Sequence, residues 1–495
     1  MEPSRGSPEP GIKPMAGRKY DILVVGATGV TGGLITKHLS TNAPNIKWAV
    51  SGRSEEKLNK LIDKLPAVPD INKPDILVLD VLNDPESKIR SVLDDTRVVI
   101  DVVGPYSYWG EKVLKPCVDA GTAWVDLNGE VPWAKEMEEK YQALAEKTKA
   151  VIVPCCGYDC VPSDMGVYLL SRFAGGALGK VDAVVEEAVG AASFGTLSSF
   201  LAPYYTYPPE KILKPNGYIG DPYFLYPRNG ECPETLPEQP TGVKFRRANS
   251  SFVYHAPLRH IGRDCPKRRG GYLITSTPFE AINRPVVMRS YGLRSSVDGR
   301  GTRLHDSYGP SFRYREWLLL PAGPLKGGLS MLAAYIMGSF FPYCLSFSPV
   351  RGMFKFVIDR LFGPGYGPSP ELQERGGFRW RFIGEALDHE TKNERAVLQM
   401  EGRKDIGYGW TSIILSETAL YLVDKLRNVE ELAEREGDDD VVFRRNDSEQ
   451  RRGGFWTSAC LGMGLAHRLL GSGYLDVEMR WVRDEEVRDE DKKTV

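Results

Sequence analysis

Residues 20–32 read YDILVVGATGVTG. The first six are an apolar, β-branched run that ends on glycine, the mark of a strand buried on both faces of a parallel sheet. Residues 30–40 (VTGGLITKHLS) follow as a helix, with Val30, Leu34, Ile35 and Leu39 on one face. Working outward, 46–50 (IKWAV) is a second strand, and a helix runs from about Glu55 to Leu65. Further strands fall at 75–79, 97–103, 123–127 and 150–154, with helices at about 110–120 and 132–148. Strands alternating with helices of this length predict a doubly wound parallel α/β sheet, a Rossmann domain.

The turn itself carries chemistry. Gly26 permits a tight turn, Gly29 lets backbone approach a pyrophosphate, and Gly32 allows the helix to pack close to the sheet. The first-turn amides near Thr28, Val30 and Thr31 would face the phosphates. At the end of the second strand an NAD enzyme usually places an acid for the ribose 2′-hydroxyl. This chain has SGRS at 51–54. The Arg53 guanidinium suits a 2′-phosphate, and Ser51 and Ser54 add hydroxyls, so the predicted cofactor is NADP. Asp80 and Val81 follow the third strand, where an acid can receive the adenine amino group. Gly104 and Pro105 follow the fourth, beside the nicotinamide ribose.

Beyond this region the pattern changes. A helix is expected from Pro162 to about Phe173, closed by Gly175 and Gly176, and 181–190 alternates as a strand. Residues 202–320 show few helical signals. The stretches 251–256, 284–291, 378–385 and 394–402 alternate and predict an antiparallel sheet, hence a second, α+β domain. Residues 410–426 read as an amphipathic helix, 433–453 as a charged loop, and 454–471 as a last helix. The boundaries that follow are a disordered 1–18, a nucleotide domain over 19–175, a cover domain over 176–405, C-terminal helices over 406–475 and a polar tail over 476–495. Residues 327–350 are a long apolar run with no charge, yet Pro342 interrupts it. The reading is a buried or substrate-lining segment, with a hairpin lying on a lipid surface as the next choice.

The 495 residues carry a formal net charge of −1. Such a balance gives no footprint for nucleic acid. The eight cysteines lack framework spacing and read as reduced thiols of an intracellular protein, cytoplasmic or at a lipid surface. No His, Cys or acidic pattern marks a metal, and the N-terminus lacks a signal-peptide apolar core.

Hydride transfer also needs a proton source. Two loops offer one: GPYSY at 104–108 and CGYDCVPSD at 156–164. Tyr106 and Tyr158 are the candidate donors, with Asp159 to orient one of them. Ser163 and Asp164 stand where helix caps stand.

The segments YDILVVGATGVTG, SGRSEEKL (51–58), VVGPYSYWGEKVLKPCVDAGTAWVDLNGE (102–130), PCCGYDCVPSDMG (154–166), GYGPSPELQERGGFRWRFIGEA (365–386), GYGWTSIILSETAL (407–420) and GGFWTSACLGMGLAHRL (453–469) occur in this order. In them the chain resembles the saccharopine dehydrogenase-like oxidoreductases, which include trans-acting enoyl reductases of bacterial lipid synthesis. The resemblance implies a Rossmann domain, an α+β domain covering the active site, a pyridine nucleotide, and in some relatives association with lipid droplets or membranes. This chain has GYDCVPSD where that family usually has GFDSIPSD, and Asn128 before the final GE where it usually has Thr or Ser. Residues 205–320 match poorly, so the resemblance names no substrate. The expected function is NADP-dependent reduction of an enoyl C=C bond in an apolar acyl, polyketide or terpenoid-like substrate. The alternatives are a non-catalytic protein of a lipid-droplet or membrane surface, and an imine or ketone reductase. Assembly as a homodimer is left open.

Overall fold

A computed structural model describes residues 13–67, 71–191, 194–213, 221–227, 272–277, 279–295, 308–319, 341–363, 366–387, 394–427, 440–443 and 453–483, with strand 245–248 and single positions 218 and 237 between them. The chain runs β1 (Tyr20–Val25), α1 (Val30–Asn42), β2 (Trp48–Gly52), α2 (Glu55–Asp63), β3 (Asp75–Val78), α3 (Glu86–Leu93), β4 (Thr96–Asp101), α4 (Tyr106–Ala120), β5 (Ala123–Asp126), α5 (Val131–Thr148), β6 (Val151–Val153) and α6 (Val161–Phe173). It continues through β7 (Leu178–Val189), α7 (Phe194–Thr206), α8 (Pro209–Leu213), β8 (Phe245–Ala248), β9 (Tyr272–Ser276), α9 (Glu280–Ser295) and β10 (Arg313–Leu319). Next come α10 (Phe341–Ser346), α11 (Ser348–Leu361), α12 (Pro370–Arg375), β11 (Gly377–Ala386), β12 (Glu394–Arg403), α13 (Gly409–Arg427), β13 (Gly454–Phe455), α14 (Gly462–Gly471) and β14 (Leu475–Arg483).

The first sheet has the order β13-β6-β5-β4-β1-β2-β3, and every neighbouring pair is parallel. Six of its strands give the doubly wound arrangement expected from residues 20–154, and the strand order reverses between β1 and β4, where ligands bind in such sheets. Alternate β1 residues serve opposite faces. Ile22 and Val24 pack with Ile35 and Leu39 of α1, while Leu23 and Val25 pack with Val113 and Leu114 of α4. Both faces are covered, so polar alternation is absent from these strands.

The second sheet has the order β14-β12-β11-β7-β10-β9-β8 and is antiparallel except for the β7–β10 pair. It joins the first sheet through α6, buried from Val161 to Ser171. A Cβ on Gly166 of α6 would lie 2.2 Å from the Phe382 ring on β11, so helix and sheet meet at a distance that only glycine permits.

Several expectations change. The tail set at 476–495 opens as a strand, since β14 pairs with β12 at the edge of the second sheet. The alternation at 284–291 lies inside α9, not a strand. Its residues Asn283 to Gly292 are all buried, so periodicity there carried no directional signal. The stretch 251–256 lies outside the described residues. Residues 202–320 hold helical segments, including the end of α7, α8 and α9. The segment 454–471 is not one helix: β13 extends the first sheet beside β6, a 3-10 turn spans Ser458–Leu461, and only then does α14 begin. Finally, α13 is not amphipathic at a surface. It is buried from Gly409 to Val423 and packs on β1, β4, β5 and α1, so part of 406–475 is a layer of the nucleotide domain. Its one buried acid, Glu417, is paired: Oε1 meets His38 Nε2 at 2.7 Å and Oε2 accepts from Arg468 Nε at 2.8 Å.

Most of 327–350 up to Phe340 is outside the described residues. Among the described residues no helix is long and apolar enough to cross a membrane.

Candidate functional site

The β1–α1 turn forms as its glycines require. Gly26 sits at φ +90°, and its amide and that of Ala27 donate to the Ser51 carbonyl at 3.1 and 3.0 Å. The Gly29 amide closes on the Gly26 carbonyl at 3.0 Å. A Cβ on Gly32 would stand 2.4 Å from that same carbonyl oxygen, which fixes glycine at the helix–turn contact. Gly29 is the N-cap of α1 and no side chain caps the helix. The amides of Val30, Thr31 and Gly32 therefore lack intrahelical acceptors, and Thr28 and Gly29 are exposed before them. A Cβ on Gly29 would meet only the Gly26 carbonyl oxygen, at 3.4 Å. Free amides beside an open approach fit a diphosphate.

At the adenosine end, Arg53 is exposed just past β2 and lies within electrostatic reach of Asp80. The serines differ from expectation. Ser51 is fully buried and its hydroxyl donates inward to the Val24 carbonyl at 3.4 Å, because its position alternates into the sheet. Ser54 is the N-cap of α2 and accepts from the Lys57 amide at 3.3 Å. Asp80 is partly committed to its own turn: Oδ1 accepts from the Leu82 amide at 3.0 Å and Oδ2 from Asn83 Nδ2 at 2.9 Å. These bonds hold its carboxyl below the ordinary range. Val81 is a core residue, 4% exposed.

At the nicotinamide end three strand-end loops are tied together by buried carboxyls. Gly104 is exposed and Pro105 is the N-cap of α4. In place of a side chain from Pro105, Glu130 caps that helix: Oε1 accepts from the Tyr106 amide at 2.8 Å and Oε2 from the Ser107 amide at 2.9 Å. Asn128 Oδ1 accepts from the Glu130 amide at 2.5 Å, so the unusual residue before the GE pair shapes this loop. Asp126 Oδ1 receives the amides of Cys155 at 2.7 Å and Asn128 at 2.9 Å. Burial pushes the Asp126 carboxyl far up and its register neighbour Asp101 up to about 7.

Tyr106 is not placed as a proton donor. It is 3% exposed, packs on the Trp133 ring, and its hydroxyl donates to the Asp101 carbonyl at 2.8 Å. It braces β4 against the loop after β5, where the Leu127 amide donates back at 3.4 Å.

Tyr158 and Asp159 do come together, at the wall of a cavity of about 160 Å³ between the loop after β6 and the second sheet. Tyr158 is anchored by its amide, which donates to Thr411 Oγ1 of α13 at 3.2 Å. Its hydroxyl accepts from Trp380 Nε1 of β11 at 2.9 Å, and Phe378 meets its ring edge-on. Burial keeps this phenol neutral by raising it well beyond its ordinary value. Asp159 is half-buried, and its Oδ2 faces the Gly129 backbone. No cation or donor stabilises its charge among the described residues, and desolvation raises it to about 6. The remaining wall is chiefly apolar: Val185, Ala188, Phe279, Leu318 and Trp380, with Thr277 and Asn283 as polar members.

Behind this wall lies a buried charge cluster. Glu316 accepts from Asn283 Nδ2 at 3.0 Å and from the Tyr314 hydroxyl at 3.1 Å. Burial, and after it the nearby Glu280, raises Glu316 to about 8. Asn283, Thr277 and Phe279 fall where residue patterns gave no signal, since their positions depend on α9 and β9 meeting β10. Ser163 and Asp164 have structural partners. Ser163 donates to the Cys160 carbonyl at 2.9 Å. Asp164 is a buried clamp that takes Ser290, Ser458 at 2.7 Å and the Ala459 amide at 2.8 Å, joining α6, α9 and the 3-10 turn.

Residues 22–153 match the family model described as the saccharopine dehydrogenase NADP binding domain, and the cofactor is NADP. A lipid droplet localized protein of Caenorhabditis elegans is 32% identical over 426 residues, covering 82% of this chain and 89% of that one. A trans-acting enoyl reductase of Mycobacterium bovis is 27% identical over 478 residues, covering 92% and 97%. Among solved structures, apo saccharopine dehydrogenase (L-Glu forming) from Saccharomyces cerevisiae is similar with a TM-score of 0.44 and 14% identity, over 93% of this chain and 100% of that one. With a parallel nucleotide sheet, a mixed second sheet and these relatives, the chain belongs to the saccharopine dehydrogenase-like family of NADP oxidoreductases.

Proposed function

We propose that this protein reduces a C=C bond conjugated to a carbonyl in an apolar substrate, with NADPH as hydride donor. The observation that carries the reading is the cavity wall. Apolar side chains of the second domain, among them Val185, Leu318 and Trp380, face one carboxyl of the nucleotide domain, Asp159, which desolvation raises to about 6. The mycobacterial relatives named trans-acting enoyl reductases support the same chemistry.

The β1–α1 turn and Arg53 would hold NADPH, which would supply a hydride at the carboxyl edge of the sheet. The chain's own residues do the rest. Val185, Leu318 and Trp380 bind the alkyl portion and exclude water. Hydride addition to the β-carbon leaves an enolate. The protonated Asp159 carboxyl delivers its proton to the α-carbon, which restores the carbonyl, and Asp159 is reprotonated from solvent. Tyr158, neutral and held by Trp380, fixes the loop that carries Asp159. The balance is one hydride and one proton added per double bond. The test is NADPH consumption across a panel of α,β-unsaturated acyl thioesters and enones of increasing chain length. Turnover that improves with chain length is expected, and no turnover by protein that binds NADPH would count against the reading.

The relative named a lipid droplet localized protein supports an apolar, lipid-phase source for the substrate.

A further inference from the structure

Hydride addition to a conjugated C=C bond leaves negative charge on the carbonyl oxygen, and that oxygen needs a hydrogen-bond donor. The cavity wall is poor in donors. Val185, Ala188, Phe279 and Leu318 offer none, and the Trp380 indole N–H is already given to the Tyr158 hydroxyl at 2.9 Å. Asn283 is different. It stands in the wall, it is fully buried at 0% exposure, and its Oδ1 has no hydrogen-bond partner among the described residues. A buried amide that is half-paired marks a place where a ligand can complete the bonding.

The residue is held firmly. Its backbone amide donates to the Phe279 carbonyl at 2.9 Å at the start of α9, and its side-chain Nδ2 donates to Glu316 Oε1 of β10 at 3.0 Å. The preceding residue, Ile282, and Asp159 both reach Gly129: a Cβ there would stand 3.8 Å from Ile282 Cδ1 and 3.6 Å from Asp159 Oδ2. The start of α9 and the Asp159 loop therefore close on one point, and Asn283 and Asp159 share the cavity wall.

The two ends of an amide, carbonyl and NH2, fill the same space, so the proton on Glu316 decides which end meets it. The groups around this carboxyl are Glu280 and Arg284 of α9, Tyr314 of its own strand and Tyr158 of the loop after β6. Glu280 is paired with Arg284 at 3.2 Å and Arg315 at 3.4 Å, and Asp182 of β7 acts on that pair. Burial, and after it Glu280, raises Glu316 to about 8, so it is protonated at neutral pH. One of its oxygens accepts from the Tyr314 hydroxyl at 3.1 Å, and the other can donate its proton to the Asn283 carbonyl. The amide then turns over, and its NH2 takes the unpaired position as a donor.

We propose that Asn283 binds the carbonyl oxygen of the substrate through its side-chain NH2, and that Glu316 behind it holds the amide in that orientation. The proposal rests on the reductase reading for the presence of that carbonyl.

The experiment uses the full chain loaded with NADP+, so that nothing is reduced. The probes are the octenoyl thioester of N-acetylcysteamine and the matching allylic thioether, in which CH2 replaces the carbonyl. Titration calorimetry gives the affinity for each. At pH 7 the wild type should bind the thioester about tenfold or more tighter than the thioether. Asn283→Ala and Asn283→Leu should bring the two affinities together while NADPH affinity holds. Glu316→Gln, whose own NH2 can donate to the Asn283 carbonyl, should keep the preference. Between pH 7 and pH 9 the wild-type preference should shrink as Glu316 ionises, whereas in Glu316→Gln it should stay constant; this window lies above the titration of Asp159 at about 6. The pH comparison decides the matter even where an Asn283 variant fails to fold. A wild type with no preference, or with one that pH leaves unchanged, would overturn the proposal. So would a preference that survives loss of the Asn283 side chain, or one that Tyr158→Phe abolishes while Asn283→Ala keeps it. Failure of the reductase reading is distinct: the preference for the thioester would stand while NADPH stayed unoxidised beside it.

Discussion

Trp380 Nε1 of the second sheet donates to the Tyr158 hydroxyl of the nucleotide domain at 2.9 Å. This bond crosses from β11 to the loop between β6 and α6, and the two rings meet edge to face. It places Asp159, the next residue, at the seam between the second sheet and the loops of the nucleotide domain, beside the cavity proposed to take the substrate. The proposed proton transfer depends on this junction, and several consequences can be measured.

Replacing Asp159 with Asn removes the proposed acid while keeping its size. The expected fall in kcat is roughly 10²- to 10⁴-fold, with NADPH affinity unchanged. In the wild type the carboxyl must carry its proton to act, so kcat should decline as pH rises through about 6. The Asn variant should lose that inflection. A rate profile measured from acid to neutral pH on both proteins checks it.

Trp380→Phe keeps an aromatic side chain, smaller than the indole, and deletes the donor to Tyr158. Because the loop also hangs on the Thr411 bond to the Tyr158 amide, the protein should fold. The cost should be roughly 2–4 kcal/mol in stability, from the lost bond and the buried ring volume removed, together with a fall in kcat larger than any change in KM for the enone, since Asp159 loses part of its positioning. Denaturant unfolding and steady-state kinetics separate the two effects.

Arg53→Ser should raise the Kd for NADPH by roughly 10- to 100-fold, as expected for loss of a charge-assisted pair with the 2′-phosphate, and leave NADH binding near its starting value. Ser51→Ala should not change the preference, because its hydroxyl is turned into the sheet. Fluorescence titration with each coenzyme reads both variants.

Glu316 tests the buried cluster. Its folded-state value of about 8 lies above the ordinary 4.5, so the folded protein holds a proton that the unfolded chain releases. Between those two values its contribution to stability falls as pH rises, and the full penalty is present above about 8. Glu316→Gln removes this ionisation. Its unfolding midpoint relative to wild type should therefore improve from pH 5 to about pH 8 and level off above it, as followed by thermal melts from pH 5 to pH 9.

How far residues alone announced this arrangement depends on whether local pattern and tertiary partner agreed. Gly26, Gly29 and Gly32 are dictated by backbone geometry within one turn, so their roles could be read directly and the parallel sheet with them. Tyr158 and Asp159 lay in a strand-end loop of a recognisable kind. Tyr106 stood in an equally plausible loop, yet its ring turns under α4 to the Asp101 carbonyl, a choice set by Trp133 packing that no spacing reveals. The same holds for Ser51, whose side was fixed by the β2 pleat. The alternating run at 284–291 gave a strand pattern because α9 is buried nearly all round, so its polar residues Arg289 and Ser290 meet buried partners instead of solvent. Strand β13, two residues long, has too little sequence to signal itself and exists because Gly454 and Phe455 find the free edge of β6. Asn283 and Thr277 enter the cavity through contacts between distant segments.

The most direct test of the central claim is where the hydride goes. Single-turnover reduction of an enoyl thioester with NADPH deuterated at the transferred position, in ordinary water, should give saturated acyl product with deuterium on the β-carbon and a solvent-derived hydrogen on the α-carbon. Deuterium on a carbinol carbon, or bound NADPH left unoxidised by every conjugated substrate offered, would contradict it.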